Sequence, residues 1–324
     1  MTQNTILSVD HLRMQFGGLV ALDDVSFDAR EGAVTAVIGP NGAGKTTIIR
    51  AISTLIEPSN GSIKIFGTNV AEHPGDVRKT IGLAGQYAAV DEALTGLQNL
   101  EMVGRLYHLP SKLVKQRSLE ILQRLSLTDA AHKRVKTYSG GMRRRLDLGA
   151  SLIGHAKFVM LDEPTTGLDP RTRNELWSII REIQKEGSTI LLTTQYLDEA
   201  DTLADTIGII DKGKKVAEGT ATSLKNKLGG NVIQFSVKAS QDKVQKLVPA
   251  AEFSKLDETW RLKADKDGAR DLVKLATLFD KQKIKVEELG IRRPSLDDVF
   301  LELTGHTAED QVVKPAKAKK RRRR

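Results

Sequence analysis

The sequence predicts an α/β fold with an antiparallel β subdomain and a helical insert, followed by a small α+β C-terminal domain. Three observations support this fold class. Apolar strand patterns alternate with amphipathic helical patterns, a glycine-rich loop joins one such strand to one such helix, and a new series of strands and helices begins after Ser223. At 324 residues the chain is long enough for one large domain and one small domain.

The elements of the larger domain follow from local patterns. Residues 5–30 alternate between apolar and polar side chains, as strands of an antiparallel sheet with one wet face do. AVTAVI (33–38) is a short buried strand, TTIIRAISTLI (46–56) has helical spacing, and residues 94–154 are mostly helical. Four more segments are predicted strands: GSIKIFG, TIGLAGQ, AKFVML and STILLTT.

The small domain, which we place at residues 223–303, has its own pattern. Its segments read as strand, helix, strand, strand, helix, strand, the order found in ferredoxin-like domains. The predicted inward face of its second helix consists of Ala269, Leu272, Val273, Ala276 and Phe279.

Composition excludes several classes of site. There is no cysteine, so the chain can form neither disulfides nor thiolate-bound metal or iron–sulfur centres. The N-terminal residues lack the basic start and apolar stretch of a signal peptide. No apolar run approaches the roughly 18 residues that a membrane span needs. We therefore expect any passage through a membrane to be supplied by another chain.

The net charge of +9 is concentrated in one segment. Residues 314–324, KPAKAKKRRRR, hold eight basic residues and no acidic one, so nine minus eight leaves the other 313 residues at +1. We expect residues 304–324 to form a disordered basic tail. Such a tail can contact anionic lipid, bind nucleic acid through phosphates alone, or simply solvate the chain. Of these partners, nucleic acid is the one that we do not expect.

A phosphate-binding loop is the most informative single motif. GPNGAGKTT fits G-x-x-x-x-G-K-[ST] in full, with a buried strand before it and a helix after it, which disfavours an ordinary glycine-rich turn. Glycines let backbone N–H groups turn toward a phosphate, and the helix N-terminus adds positive potential. Lys45 would then contact the β- and γ-phosphates and the Thr46 hydroxyl would ligate Mg²⁺. The predicted ATP-binding residues of this loop are Gly39, Pro40, Asn41, Gly42, Ala43, Gly44, Lys45, Thr46 and Thr47.

Two carboxylates, Asp162 and Glu163, follow the predicted strand AKFVML. Alone, such a pair would more often be a solvated strand end. Beside a phosphate loop, carboxylates at the end of a strand can hold Mg²⁺ through water and polarise an attacking water. We therefore predict Asp162 as the metal-binding residue and Glu163 as the general base.

Four motifs in a fixed order carry a family resemblance. The phosphate loop is followed by YSGGMRRRLDLG, FVMLDEPTTGLDP and LLTTQYLDEAD, and over about residues 5–220 the chain resembles the ATP-binding cassette of ABC transporters. The resemblance implies a P-loop ATPase core of ABC type within residues 1–222, with the helical insert at about 94–154. It also implies that ATP and Mg²⁺ are bound and that ATP is hydrolysed to ADP and phosphate.

The resemblance also explains the Ser-Gly-Gly turn of YSGGMRRRLD. In the family two cassettes dock head to tail, and this turn of one chain contacts the γ-phosphate of ATP held by the other, so we expect a homodimer. The predicted contacts in trans come from Ser139, Gly140, Gly141, Met142 and Asp169. We expect at least two of the three arginines at 143–145 to lie on a solvated helical face.

Three further side chains receive roles from the resemblance. Phe16 matches an aromatic residue that stacks on adenine, with a place in the core as the alternative, and Gln86 matches a glutamine that senses Mg²⁺ beside ATP. The implied metal ligands are thus Thr46, Gln86 and Asp162. Gln195 occupies the position of a histidine that contacts the γ-phosphate. A glutamine can donate a hydrogen bond there but cannot take up a proton.

Two segments indicate the subfamily. TTQYLDEAD and the terminal LGIRRPSLDDVFLELTG (289–305) resemble the ATPase subunits of daunorubicin-resistance-type exporters. The resemblance implies a separate transmembrane permease, export of a drug or other hydrophobic compound, and a peripheral position on the cytoplasmic face of the membrane. The alternative is a non-transport ABC ATPase that acts on nucleic acid or ribosomes. The insert lacks the heptads of the repair class, and the chain has one cassette where the translation class has two.

Overall fold

The computed structural model describes residues 4–86, 90–227, 231–254, 258–264 and 268–305. These residues form two compact units that divide between Ala221 and Thr222. In the described part of the chain, no helix combines the length and apolarity required to cross a membrane. The predicted disordered tail begins too early at residue 304, because Thr304 is still helical and Gly305 caps that helix. From position 306 onward the tail lies outside the described residues.

The first unit contains ten strands and seven α-helices in its described residues. The strands are β1 (Thr5–Phe16), β2 (Leu19–Arg30), β3 (Val34–Ile38), β4 (Asn60–Ile65), β5 (Thr68–Asn69), β6 (Ile81–Ala84), β7 (Phe158–Asp162), β8 (Thr189–Thr194), β9 (Thr206–Asp211) and β10 (Lys214–Gly219). The helices are α1 (Lys45–Ile52), α2 (Pro74–Arg78), α3 (Gly96–Leu106), α4 (Ser111–Arg124), α5 (Gly140–Leu152), α6 (Pro170–Lys185) and α7 (Leu197–Leu203).

An antiparallel sheet of order β2-β1-β4-β5 confirms the prediction for residues 5–30. In β1 the buried side chains of Leu7, Val9, Leu12 and Met14 belong to the first apolar core. The prediction for residues 46–56 was too long, because α1 ends at Ile52. Thr54 adopts a φ of 64°, a left-handed conformation that a right-handed helix cannot continue through.

The central sheet has the order β10-β9-β3-β8-β7-β6, with β9, β3, β8, β7 and β6 parallel to one another. Every residue of β3, β7 and β8 is buried, as expected for parallel strands covered on both faces. Because these three strands are neighbours and parallel, their carboxyl ends meet at one edge of the sheet. The phosphate loop, Asp162 and the segment after Thr194 all start from that edge.

The helical insert is built from α3, α4 and α5, joined by two short 3₁₀ turns at 128–130 and 135–137. Thr95 caps α3: its hydroxyl accepts from the Gln98 N–H, and its own N–H donates to the Gln98 side-chain oxygen. These two bonds make a complete capping box. The mostly helical prediction for residues 94–154 is confirmed.

The second unit contains α8 (Ala221–Lys227), which begins at the boundary, and then β11 (Val232–Lys238), α9 (Gln241–Leu247), β12 (Glu252–Ser254), β13 (Thr259–Lys263), α10 (Gly268–Lys281), β14 (Lys285–Arg292) and α11 (Leu296–Thr304). The sheet order is β12-β13-β11-β14, with all neighbouring strands antiparallel. The predicted order of strands and helices over β11–β14 is therefore confirmed.

The predicted inward face of α10 was partly wrong. Val273 is 61% exposed and Ala269 is exposed, whereas Leu275 and Phe279 are buried. Leu275 and Phe279 are one helical turn apart and lie on the buried side of α10. The Phe279 ring packs against the Phe235 ring, with 5.2 Å between their centroids. Packing of α10 on the sheet therefore buries the side that carries Leu275 and Phe279, and leaves Ala269 and Val273 exposed.

The terminal helix α11 is fixed by a charge pair between buried Asp298 and partly exposed Arg292. Ser295 caps the helix and Asp298 completes a capping box, while Arg292 donates to both Asp298 oxygens at 2.6 and 2.8 Å. Burial alone would raise the pKa of Asp298, but the bonds from Arg292 and Ser295 hold it below its usual range. The SLDD segment thus has a structural role within the second unit.

Candidate functional site

The phosphate loop connects β3 to α1. A side chain at Gly39 would place its Cβ 2.2 Å from the Ile210 carbonyl oxygen, and one at Gly44 would meet Leu22 Cδ2 at 2.5 Å. Gly44 also has a φ of 109°, which L side chains rarely adopt. Glycine is therefore required at both ends of the loop by the chain itself. The first-turn N–H groups of α1, at residues 45–47, have no carbonyl acceptor within the helix and can bind an anion.

Lys45 lies at the start of α1 and is only 4% exposed. Its Nζ donates to the carbonyls of Gly39 at 2.8 Å and Pro40 at 3.0 Å, and it lies 3.1 Å from Glu163 Oε1. The Lys45 side chain therefore lies between the phosphate loop and the end of β7. The two carbonyl bonds give the buried ammonium group acceptors besides Glu163, so the ion pair is not its only compensation.

The end of β7 is tied to the neighbouring strand β8. Thr193 Oγ1 donates to Asp162 Oδ1 at 2.5 Å, and the Glu163 N–H donates to the Thr193 carbonyl at 3.0 Å. Glu163 has a φ of 50°, a left-handed conformation that costs a non-glycine residue about 1–2 kcal/mol. Its carboxylate is 5% exposed and lies beside Lys45. Two hydrogen-bonded strands thus hold an acid in an uncommon backbone conformation, as is typical of functional sites.

Two oxygen groups lie together where a cation could be held. The Thr46 hydroxyl donates to Asp162 Oδ1 across 3.4 Å. Hydroxyl and carboxylate oxygens suit Mg²⁺, which usually takes few protein ligands because it keeps water and binds phosphate. Among the described residues there is no cluster of three or more His, Cys, Asp or Glu side chains, the kind of donor set that a protein-caged metal would use. The residues present therefore fit Mg²⁺ bound together with phosphate.

Gln86 and Gln195 follow strands that end at this edge of the sheet. Gln195 comes directly after β8 and is half-buried. Gln86 follows β6 with an exposed side chain, and its carbonyl accepts a bond from Arg144 at 3.3 Å. Phe16 is 47% exposed at the end of β1, which excludes the alternative that it is a core residue.

Arg144 is the site residue that the sequence prediction missed. It is 8% exposed, and its guanidinium donates to five backbone carbonyls. These belong to Pro164 at 2.7 Å, Asp162 at 2.9 Å, Glu163 at 2.7 Å, Gly85 at 2.6 Å and Gln86 at 3.3 Å. Burial lowers the pKa of Arg144, while the nearby carboxylates of Asp147, Asp162, Glu199 and Glu163 raise it.

The expectation that two of the three arginines are solvated was wrong. Arg143 and Arg145 are half-buried; Arg143 pairs with Glu92 at 2.7 Å, and Arg145 donates to the Leu125 carbonyl at 3.2 Å. A helical signal for Arg144 was present, because it lies one turn after Gly141 and one turn before Leu148, both of which are buried.

The Ser-Gly-Gly turn forms the start of α5. Ser139 caps the helix by accepting from the Met142 N–H at 3.2 Å, and Ser139 and Gly140 are exposed with open space around Gly140. Gly141 differs, because a Cβ there would lie 2.3 Å from Thr172 Cγ2. One glycine thus leaves the helix end accessible to an anion, and the other permits close packing within the chain.

Asp169 caps the adjacent helix α6. Its carboxylate accepts from the Thr172 N–H at 3.0 Å and from the Thr172 hydroxyl at 2.7 Å. These bonds lower the pKa of Asp169, so the carboxylate is charged at neutral pH. The side chain that was predicted to act in trans also has a capping role in its own chain.

The segment after Gln195 is fixed by contacts with α6. The Trp177 indole N–H donates to Glu199 Oε1 at 2.9 Å, and the Arg173 guanidinium lies 5.0 Å from the Tyr196 ring centroid. Glu199 is fully buried, and that burial raises its pKa. These contacts hold in place the turn that carries Gln195.

Comparison with known proteins bears on both units. The ABC transporter family model matches residues 22–166, and the model for the C-terminal domain of ATP-binding proteins of the DrrA1-3-like type matches residues 219–304. The chain is 48% identical to the daunorubicin resistance ATP-binding protein DrrA2 of Streptomyces coeruleorubidus over 94% of this chain and 97% of that protein. It is 35% identical to a Nod factor export ATP-binding protein I of Ralstonia nicotianae, over 94% of this chain and 95% of that protein.

Solved structures agree with the fold of the first unit. The structure of an ATP-binding subunit of an ABC transporter is 29% identical, has a TM-score of 0.63, and covers 69% of this chain and 94% of that one. An ATP-binding cassette in its ADP conformation is 25% identical with a TM-score of 0.61, covering 68% of this chain and 92% of that one.

Proposed function

This chain belongs to the ABC transporter family as an ATP-binding protein, and we propose that it hydrolyses ATP between Lys45 and Glu163 to power a separate membrane permease that exports a drug or another hydrophobic compound. The observation that carries the proposal is the meeting of the start of α1 with the end of β7 at one edge of the parallel sheet. Lys45 Nζ lies 3.1 Å from Glu163 Oε1, and Thr46 Oγ1 lies 3.4 Å from Asp162 Oδ1.

Each of these residues receives one task. Lys45 and the N–H groups of the phosphate loop bind the phosphates, and Thr46 and Asp162 hold Mg²⁺, with Gln86 as a further ligand. Bound Mg²⁺ would neutralise developing charge on the phosphates. Glu163 accepts the proton of the attacking water while the water oxygen bonds to the terminal phosphorus. The bond from that phosphorus to the β–γ bridging oxygen breaks at the same time, and ADP leaves with the bridging oxygen. Gln195 donates a hydrogen bond to the terminal phosphate, and Phe16 stacks on the adenine.

The remaining contacts come from a second copy of the chain. The exposed start of α5 is a helix end that can bind an anion. The phosphate loop of the same chain, at residues 39–47, is far from it in sequence. We propose that Ser139, Gly140 and Met142, together with Gly141 and Asp169, complete the site of the second copy, so that two ATP molecules are enclosed in a homodimer of C₂ symmetry.

The export assignment follows the relatives described above, which are named as drug resistance and export ATP-binding proteins. We propose that the cassette binds the cytoplasmic face of a membrane, where ATP is available, and that ATP-driven closure moves the α3–α5 insert against the permease. Closure requires that ATP bind the closed dimer much more tightly than the open one.

Daunorubicin uptake tests this function. In inside-out vesicles that contain this chain and its permease, we expect ATP to raise daunorubicin accumulation several-fold. Vesicles without the permease, and vesicles given a non-hydrolysable ATP analogue, are the controls. If these vesicles show ATP hydrolysis but no ATP-dependent accumulation of daunorubicin, the proposed class of cargo is wrong.

The basic segment 314–324 suggests a contact with anionic lipid. A basic side chain near an anionic surface contributes about 1 kcal/mol, and deletion of 314–324 removes eight such charges. We expect the deletion to weaken binding to vesicles that contain phosphatidylserine and to leave ATP hydrolysis unchanged. Vesicles of phosphatidylcholine alone provide the neutral control. Equal binding by both forms of the chain to the anionic vesicles would rule out this contact.

A further inference from the structure

We propose that Arg144 is a positioning residue for ATP hydrolysis, which holds the backbone of Glu163 and the Gly85–Gln86 turn in a single arrangement. The inference rests on the proposed function, in which Glu163 is the base and Gln86 acts at the metal. Arg144 itself touches only backbone carbonyls of these segments, so it would act through them.

The acceptors of Arg144 distinguish it from an ordinary buried ion pair. Its ion pair with Asp147 measures 3.7 Å between Nη1 and Oδ2, which is beyond hydrogen-bonding distance. The hydrogen bonds go instead to carbonyls, at 2.6–3.3 Å. Backbone positions therefore fix the geometry of Arg144, while the carboxylates of Asp147, Asp162, Glu199 and Glu163 offset its charge without hydrogen bonding to it.

The carbonyls come from two separate segments. Nε and Nη2 bond the chain at residues 162–164, and Nη1 bonds the chain at residues 85–86. An arginine presents donors in a rigid planar fork, so one side chain can hold both segments at once. A lysine at this place has a single nitrogen and could not reach both sets of acceptors.

The conformation of Glu163 depends on this support. Its N–H side is held by Thr193, and its carbonyl accepts from Arg144 at 2.7 Å. The two peptide groups that flank its left-handed φ of 50° are thus fixed from opposite sides. Without Arg144 the carbonyl would keep only the 3.3 Å bond from the Thr166 N–H, and Glu163 could relax to a more favourable backbone conformation. Its carboxylate would then leave the position that it now holds beside Lys45.

Arg144 also lies one turn from the exposed start of α5. The helix that would contact the ATP of the second copy therefore reaches directly to the base of its own chain. A shift of α5 on dimer closure would move the Arg144 guanidinium and the two segments bonded to it. The geometry thus links closure to the placement of the base.

The test is the Arg144→Gln variant, assayed for ATP hydrolysis. We expect kcat to fall by about 10- to 100-fold, since small misplacement of a catalytic group costs that much. We expect KM and fluorescent ATP-analogue binding to stay within about twofold, because the phosphate loop is untouched. Arg144→Lys should recover little of the lost kcat, because its single nitrogen cannot bond both segments.

Arg145→Gln is the matched control, because it removes a bond from the same helix to the Leu125 carbonyl, away from the site. We expect it to retain wild-type kcat. A folded Arg144→Gln with wild-type kcat, or an equal loss in Arg145→Gln, would overturn the inference. If Arg144→Gln does not fold, Arg144→Lys carries the test, and wild-type kcat there overturns it. A Glu163→Gln variant that hydrolyses ATP normally would instead remove the proposed base, and with it the premise.

Discussion

Glu163→Gln is expected to lose nearly all ATP hydrolysis while it still binds ATP. The amide keeps the shape of the carboxylate and can still accept a hydrogen bond, but it cannot take up the proton of the attacking water. General-base catalysis contributes about 10²- to 10⁴-fold, so we expect the rate to fall by at least that range. Because ATP is bound but not hydrolysed, the variant should accumulate as an ATP-bound dimer, which size-exclusion chromatography with and without ATP would detect.

The loss must be separated from a loss of stability. Glu163 is paired with buried Lys45 at 3.1 Å, and Lys45 keeps the carbonyls of Gly39 and Pro40 when the charge on residue 163 is removed. We therefore expect only modest destabilisation, measurable by thermal unfolding. A folded variant that hydrolyses ATP at the wild-type rate would show that Glu163 is not the base.

Gln195 provides an internal comparison for Glu163. If it only donates a hydrogen bond, Gln195→Ala should slow hydrolysis by far less than Glu163→Gln, and Gln195→His should be tolerated. Full activity in the Ala variant would mean that the Gln195 side chain takes no part. Because Gln195 is half-buried at the end of β8, its replacement can also disturb the structure of that strand end, and both variants would show that disturbance.

The second large effect is expected when two inactive chains are mixed. Lys45→Ala removes the phosphate-loop charge from one copy, and Ser139→Asp places a negative charge where the other copy should meet the γ-phosphate. Each homodimer should be inactive. In the heterodimer, however, one site combines an intact Lys45 with an intact Ser139. An equal mixture should therefore recover about a quarter of wild-type hydrolysis if the two sites act independently in a C₂ dimer.

The choice of Ser139→Asp follows from the capping role of Ser139. Asp is as good an N-cap as Ser, so the variant preserves the bond to the Met142 N–H and isolates the effect of charge. Ser139→Asn also keeps the cap and is neutral, so it serves as the matched control and should retain much more activity. If heterodimers are shown to form and yet hydrolyse no more ATP than the separate variants, the two chains do not share a site.

Local patterns in the sequence were enough to predict much of the fold. The alternation over residues 5–30, the buried strand before the phosphate loop and the helical insert depend on neighbouring residues, and these predictions are confirmed. Errors arose where distant contacts decide the outcome. Packing on the sheet buries Leu275 and Phe279 of α10 and leaves Val273 exposed. The left-handed conformation of Thr54 ends α1 early.

The candidate site was only partly predictable for the same reason. Motif spacing predicted the phosphate loop and the two acids at the end of β7, Asp162 and Glu163. Arg144, however, bonds to carbonyls that lie 59 and 19 residues away at Gly85 and Glu163, and nothing in three consecutive arginines distinguishes the middle one except helical phase. The left-handed φ of Glu163 is equally invisible in sequence, because it is imposed by Thr193 and Arg144 from other elements.

The close approach of Gly141 to Thr172 has a mechanical consequence. A Cβ at position 141 would lie 2.3 Å from Thr172 Cγ2, so the first turns of α5 and α6 are packed closely together. In the proposed homodimer, a movement of one of these turns would therefore be passed to the other. A larger residue at position 141 would wedge them apart, so an inactive Gly141→Ala chain could owe its failure to an internal clash and would say little about the neighbour.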